Sequence, residues 1–175
     1  GHVTGVQTCA LPILFNLQSH YVVDPTALQA LKEGQDRIKS IALIHERFYP
    51  NQGLTKIDFD DYIKRLIENL FISFRIPKEK ITLVIDADRI TLDIDTAVPC
   101  ALIINELVSN SLKHAFKNIE HGELKVSLKL TGHDQVQLMV QDNGVRLPEG
   151  FDLSTCDSLG IQLINALSSQ LESTI

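Results

Sequence analysis

The stretch NELVSNSLKHAF, residues 105–116, constrains this chain more than any other. Glu106, Asn110, Lys113 and Lys117 follow at steps of four, three and four, a helical spacing that lines four polar groups along one side. Ile104, Val108, Leu112 and Ala115 form the opposite stripe. Such a helix must bury its apolar stripe against a second layer. The plainest expectation for the polar stripe is that water covers it. The other is that it faces a ligand.

The surrounding pattern supplies the second layer. ITLVIDA (81–87) alternates Ile81, Leu83 and Ile85, RITLDI (89–94) reads as a short strand, and Thr96 is the expected cap of the long helix. GELKVSLKL (122–130) and QVQLMVQD (135–142) alternate as well, and TGHD between them suits a hairpin turn around Gly132. Upstream, Tyr62, Ile63, Leu66, Ile67 and Leu70 mark an amphipathic helix, and LGIQLINALSSQL (159–171) marks another after an irregular stretch. The expected fold class is α+β, with helices and strands in two layers. Before it, Asp24 caps and Pro25 opens a helix that ends near Pro50. Leu31, Gly34, Ile38, Ile41, His45 and Phe48 alternate steps of three and four along that helix, the seam of a helical bundle. A lone helix cannot bury such a seam. The preceding segment and a second copy of the chain are its expected partners.

Composition narrows the function classes. A net charge of -6 and the lack of any Lys/Arg run argue against nonspecific contact with nucleic acid or an anionic membrane. No apolar run approaches the roughly 20 residues that cross a bilayer, so no membrane contact is expected of this stretch and its expected location is cytoplasmic; attachment of a longer parent stays open. Cys9, Cys100 and Cys156 show no CxxC or Cys/His spacing, which disfavours structural zinc. Residues 3–13, VTGVQTCALPI, read as an in-frame translation of a short-read sequencing adapter. Residues 1–13 are therefore set aside as an adapter-like artefact, and the natural sequence is expected to begin near Leu14.

Two further stretches point to a ligand. In QDNGVRLPEG (141–150), Asn-Gly ordinarily signals a hairpin, but Pro148 and the loss of alternation prevent a pairing strand from following. Asp142, at a strand end, suits a hydrogen bond from an exocyclic amine, which adenine has where guanine has a carbonyl. Gly144 would let the backbone come close to a flat base. In DSLGIQLI (157–164), Ser158 and Gly160 precede or open a helix, whose free N–H groups attract phosphate.

In the order NELVSNSLKHAF, DNG, SLG, these stretches resemble the nucleotide-binding boxes of the ATPase superfamily that includes histidine kinases, gyrase, Hsp90 and MutL. LFNLQSHYVVDPTALQALKEGQDRIKSIALIHERFY (14–49) resembles the dimerisation and phosphotransfer region of one bacterial sensor histidine kinase subfamily. The resemblance implies partial phosphotransfer helices over 14–52 and, over 53–175, a two-layer α/β sandwich of the GHKL (Bergerat) type that binds ATP and Mg2+. It implies that Asn110 holds the magnesium and that Glu106, one turn earlier, orients water or accepts a proton. By the same resemblance Lys113 and His114 reach the phosphates, Asp142 reads the adenine, Gly144 permits close approach, and Ser158 with Gly160 lies near the phosphates. The loop between Gly144 and Ser158 would be a lid. The implied reaction moves the ATP γ-phosphoryl group to a histidine, for relay to a response-regulator receiver domain, within a homodimer built on the helical bundle.

The chain departs from the family pattern in three ways. The family's acceptor histidine lies upstream of the part matched by LFNLQS, and His20 falls beyond it. Arg146 stands where a second glycine is common, as DNGxG. The sequence as written stops before the family's final strands and Gly-Thr box. By itself it is expected to be a poor catalyst. The alternatives are a degenerate module that binds ATP without transfer, and a serine kinase of the anti-sigma type. The helix over 25–49 speaks against the latter.

Overall fold

Asp24 opens the first helix, α1 (Pro25–Phe48), by accepting the N–H groups of Thr26 at 2.7 Å and Ala27 at 3.1 Å. The computed structural model describes Leu17 and residues 22–48 (side chains to 44), 56–77, 79–117, 119–132, 135–146 and 158–172. The adapter-like segment, the segment before α1 apart from Leu17, the lid beyond Arg146, and the side chains of His45 and Phe48 lie outside these residues.

Strand β1 (Lys56–Asp58) leads into α2 (Phe59–Ser73), then β2 (Ile81–Ala87), β3 (Thr91–Asp93), α3 (Ile94–Asn110) with a π-helical extension over Ser111–Ala115, β4 (Gly122–Leu130), β5 (Val136–Asp142) and α4 (Leu159–Gln170). The main sheet has the order β2-β4-β5. β2 runs parallel to β4, with Leu83 opposite Leu124, and β5 runs antiparallel to it, with Val126 opposite Val140. β1 and β3 form a separate antiparallel pair.

Helices α2 and α3 form the layer behind the sheet, and the apolar positions foreseen from periodicity are the ones they bury. Tyr62, Ile63, Leu66, Ile67 and Leu70 of α2 meet Ala101, Ile104 and Val108 of α3 and Leu124, Val126 and Leu128 of the central strand β4. Burying each large side chain of this kind stabilises the fold by about 1.5–3 kcal/mol. α2 ends in a Schellman turn: Ile76 N–H donates to the Phe71 carbonyl, Arg75 N–H donates to that of Ile72, and Arg75 takes the left-handed conformation at φ 53°.

The structure corrects one expectation. α3 is capped by Asp93, whose carboxylate accepts the Thr96 N–H at 2.8 Å, so Thr96 supplies a donor and not the cap. On α1 the fully buried stripe is Asp36, Ser40 and Ile44, and the expected seam of Leu31, Gly34, Ile38 and Ile41 is half-buried. Seam and buried stripe belong to different faces because α1 also packs across α3 and α2.

Candidate functional site

The polar stripe of α3 is buried at its first position and wet at its last. Glu106 is 5% exposed, and the Arg37 guanidinium of α1 grips it with two bonds, Nε to Oε1 at 2.7 Å and Nη2 to Oε2 at 3.0 Å. Asn105 adds a third bond, from Nδ2 to Oε1 at 3.2 Å, and its own Oδ1 accepts the Ser40 hydroxyl at 3.1 Å. Two turns on, Lys113 Nζ donates to Glu33 Oε1 at 2.7 Å, again on α1. Tyr62 and Ser73 of α2 close the rear of this seam, donating to the Ser40 carbonyl at 2.9 Å and to Asp36 Oδ1 at 3.0 Å. A small cleft remains between Glu33, Asp36, Phe74, Glu106 and Lys113.

The charges respond to this arrangement. The Glu106 carboxylate beside Arg37 raises the guanidinium pKa above its ordinary value, against the opposing effect of burial. Burial pushes the Glu33 carboxyl up, but hydrogen bonds from Lys113 and Gln29, with the charges of Lys113 and Arg37, outweigh it and leave Glu33 below the usual glutamate value. Burial first, and then Lys117 and Lys113, lower the pKa of His114, so its imidazole is neutral at pH 7.

The DNG stretch reaches the same helix end. Along β5, Leu138, Val140 and Asp142 share the inward, half-buried face, so strand alternation carries the Asp142 carboxylate toward α3. There Ser111 donates its hydroxyl to Asp142 Oδ2 at 2.7 Å, while the Gly144 N–H donates to Oδ1 at 3.0 Å. Ser111 follows Asn110 directly in the chain, so Asp142 is anchored to the residue next to the half-buried amide that the sequence proposes for metal. Val145 N–H donates to the Ala115 carbonyl at 2.9 Å. A Cβ on Gly144 would lie 2.4 Å from that same oxygen. The chain's own backbone thus already requires a glycine here, apart from any base it approaches.

The SLG stretch also converges. Ser158 caps α4, its hydroxyl accepting the Ile161 N–H at 3.3 Å. A Cβ on Gly160 would stand 2.7 Å from Glu106 Oε2. Of the residues singled out in the sequence, Glu106 therefore touches Gly160, and Asp142 joins the residue after Asn110. Lys113 turns to Glu33, His114 is exposed, and Lys117 is exposed on the same turn. The residues that sequence reasoning missed are Glu33, Arg37, Asn105 and Ser111. Glu33 and Arg37 stand four apart on one helical face, which marks a charged stripe but not its partner.

Comparison with known proteins finds two families along the chain. The family described as "Histidine kinase" matches residues 11–74, and the "Histidine kinase-, DNA gyrase B-, and HSP90-like ATPase" family matches residues 95–170. The sensor histidine kinase PdtaS of Mycobacterium tuberculosis is 28% identical over 165 residues, covering 93% of this chain and 32% of its own length. The chain thus spans about a third of that curated relative. The serine-protein kinase RsbW of Listeria monocytogenes is 41% identical over 54 residues, 31% of each chain. The histidine kinase domain of a blue-light-activated histidine kinase from Erythrobacter litoralis superposes with a TM-score of 0.72 at 18% identity, over 92% of this chain and 84% of that one, a likeness of fold. The chain is a homologue of sensor histidine kinases, in which a histidine kinase region precedes an ATPase region of the gyrase B and HSP90 kind.

Proposed function

We propose that the chain is the catalytic portion of a protein-histidine kinase that binds Mg-ATP and transfers its γ-phosphoryl group to a histidine, for relay to a response-regulator receiver domain. The observation that carries this reading is the convergence of three stretches distant in sequence, through the Ser111–Asp142 bond and the contact of Gly160 with Glu106. In this reading residues 14–52 contribute to phosphotransfer helices that pair in a homodimer, and 53–175 bind nucleotide. The half-buried seam of α1 supports the pairing.

The residues fit the ligand. Asp142 accepts the adenine amine. Asn110 offers a neutral oxygen suited to a magnesium ion that keeps water and phosphate ligands, which would neutralise phosphate charge. Lys113 supplies a point charge and His114 a ring N–H to the phosphates. Ser158 and Gly160, at the start of α4, lie with Glu106 on the phosphate side. Glu106 accepts a proton or orients water. In the transfer the imidazole nitrogen attacks the γ-phosphorus, the bond to the β,γ-bridging oxygen breaks, and ADP leaves. Positioning and charge neutralisation supply most of the rate.

One observation favours a second reading, a module that grips ATP and transfers nothing: Glu106 and Lys113 are both held by α1. The experiments separate the two. Competition against a fluorescent ATP analogue, with magnesium, should show ATP displacing it more strongly than GTP; equal displacement removes Asp142 from base reading. A longer form carrying the upstream helix should form acid-labile, base-stable phosphoprotein from labelled ATP, and Asn110→Ala should abolish it. Binding without labelling selects the second reading.

A further inference from the structure

We propose that Ser111 is a specificity-determining residue for the purine, acting by locking Asp142 into an all-acceptor surface. The inference rests on the nucleotide-binding reading above and goes beyond it, since that reading gives base recognition to Asp142 alone.

The geometry is set where α3 ends. Its last α-helical residue is Asn110, and Ser111–Ala115 continue as a π-helical turn, a local widening often found at functional sites. At the head of that turn the Ser111 hydroxyl lies 2.7 Å from Asp142 Oδ2, and the Gly144 N–H lies 3.0 Å from Oδ1. Each carboxylate oxygen therefore has one donor of the chain's own, which fixes the plane of the group and leaves further lone pairs on both oxygens. The π turn is tied to the strand end a second time by the Val145 N–H on the Ala115 carbonyl. Neither partner is free to swing.

A hydroxyl has one proton and two lone pairs. With its proton committed to Asp142, Ser111 can only accept from a ligand. The Ser111–Asp142 pair thus offers acceptors alone to the 6-position of a purine. Adenine donates there through its amine; guanine and hypoxanthine present a carbonyl oxygen, which meets a row of lone pairs and no donor. A side chain at 111 without a hydroxyl releases Asp142 Oδ2, lets the carboxylate rotate, and admits a water that can turn its own proton toward a carbonyl. Discrimination then falls together with affinity.

The test is competition of ATP, GTP and ITP against a fluorescent ATP analogue on the wild-type chain and on Ser111→Ala, Ser111→Cys and Ser111→Thr. The wild type should prefer ATP. Ser111→Ala should weaken ATP about tenfold, equivalent to about 1.4 kcal/mol, and narrow the ATP:GTP and ATP:ITP ratios. Ser111→Cys, close in volume and a weak donor, should behave alike and serves if the alanine variant fails to fold. Ser111→Thr keeps the hydroxyl and should restore both affinity and ratio. A wild type that prefers ATP while Ser111→Ala and Ser111→Cys keep its ratios overturns the role of Ser111 and spares that of Asp142. Equal weakening of all three nucleotides overturns it too, as a merely structural effect. A wild type indifferent to the base defeats both assignments.

Discussion

Replacing Arg37 by methionine keeps most of the apolar stem of the side chain and removes the charge that Glu106 is built against. The Glu106 side chain is 6% exposed and that of Arg37 17%, so water reaches the carboxylate little and the guanidinium partly. Among the described residues, two of the three hydrogen bonds to the carboxylate, at 2.7 and 3.0 Å, come from Arg37, and the Asn105 amide at 3.2 Å would remain. Breaking a buried ion pair from one side typically costs about 3–5 kcal/mol, because an unpaired charge stays behind. Partial exposure of Arg37 places the expected loss near the lower end, about 3 kcal/mol. Every ~1.4 kcal/mol is a factor of ten, so the folding constant should fall about a hundredfold. Urea unfolding followed by circular dichroism, extrapolated linearly to water, measures it. Glu106→Gln in the Arg37→Met background should recover most of the loss, since no buried charge is then left without a partner. A coupling energy near zero in that double-mutant cycle, or an Arg37→Met loss below about 0.5 kcal/mol, would refute the reasoning by showing that solvent screens the pair.

Other consequences are equally direct. Glu33 has a folded pKa below its ordinary value of 4.5, so its contribution is fully present above that value and is lost as pH falls through the folded pKa. The stability difference between wild type and Glu33→Gln, measured by urea titration, should therefore be largest near pH 6–7 and shrink toward pH 4; a pH-independent difference contradicts the pairing with Lys113. Gly160→Ala drives a methyl to 2.7 Å from a carboxylate oxygen that Arg37 already holds, and should cost about 1–3 kcal/mol in thermal or urea unfolding. Arg75 occupies a left-handed position at the end of α2, so Arg75→Gly should raise stability by about 0.5–1 kcal/mol in the same assay, the relief of backbone strain exceeding the extra freedom of the unfolded chain.

Much of the fold was legible because local spacing controls it. The helices at 25–48, 59–73, 94–110 and 159–170, the strands at 81–87, 122–130 and 136–142, and the antiparallel pairing of the last two follow from period and turn chemistry. Asp24 as cap, the helix start at Ser158 and Gly160, and the core row of α2 were readable for the same reason. The cap of α3 was misread by three residues. Asp93 and Thr96 both suit that role, and only the geometry distinguishes acceptor from donor.

Where each polar group points was decided by tertiary structure. Glu106, Asn110, Lys113 and Lys117 are evenly spaced in sequence, yet the fold buries the first against Arg37, pairs the third with Glu33 and exposes the last. Helical periodicity sets which residues share a face but carries no information about what lies opposite, because that depends on α1 crossing from 69 residues away in the chain. The bond between Ser111 and Asp142 is of the same kind: alternation along β5 sets the face of Asp142, while the register of β5 on β4 and the π turn after Asn110 bring the two side chains together. By itself the sequence determined the main helices and strands and the residue types of a nucleotide site. Their partners across the site were decided by packing, since long-range contacts are satisfied jointly by the whole chain and not by any one segment of it.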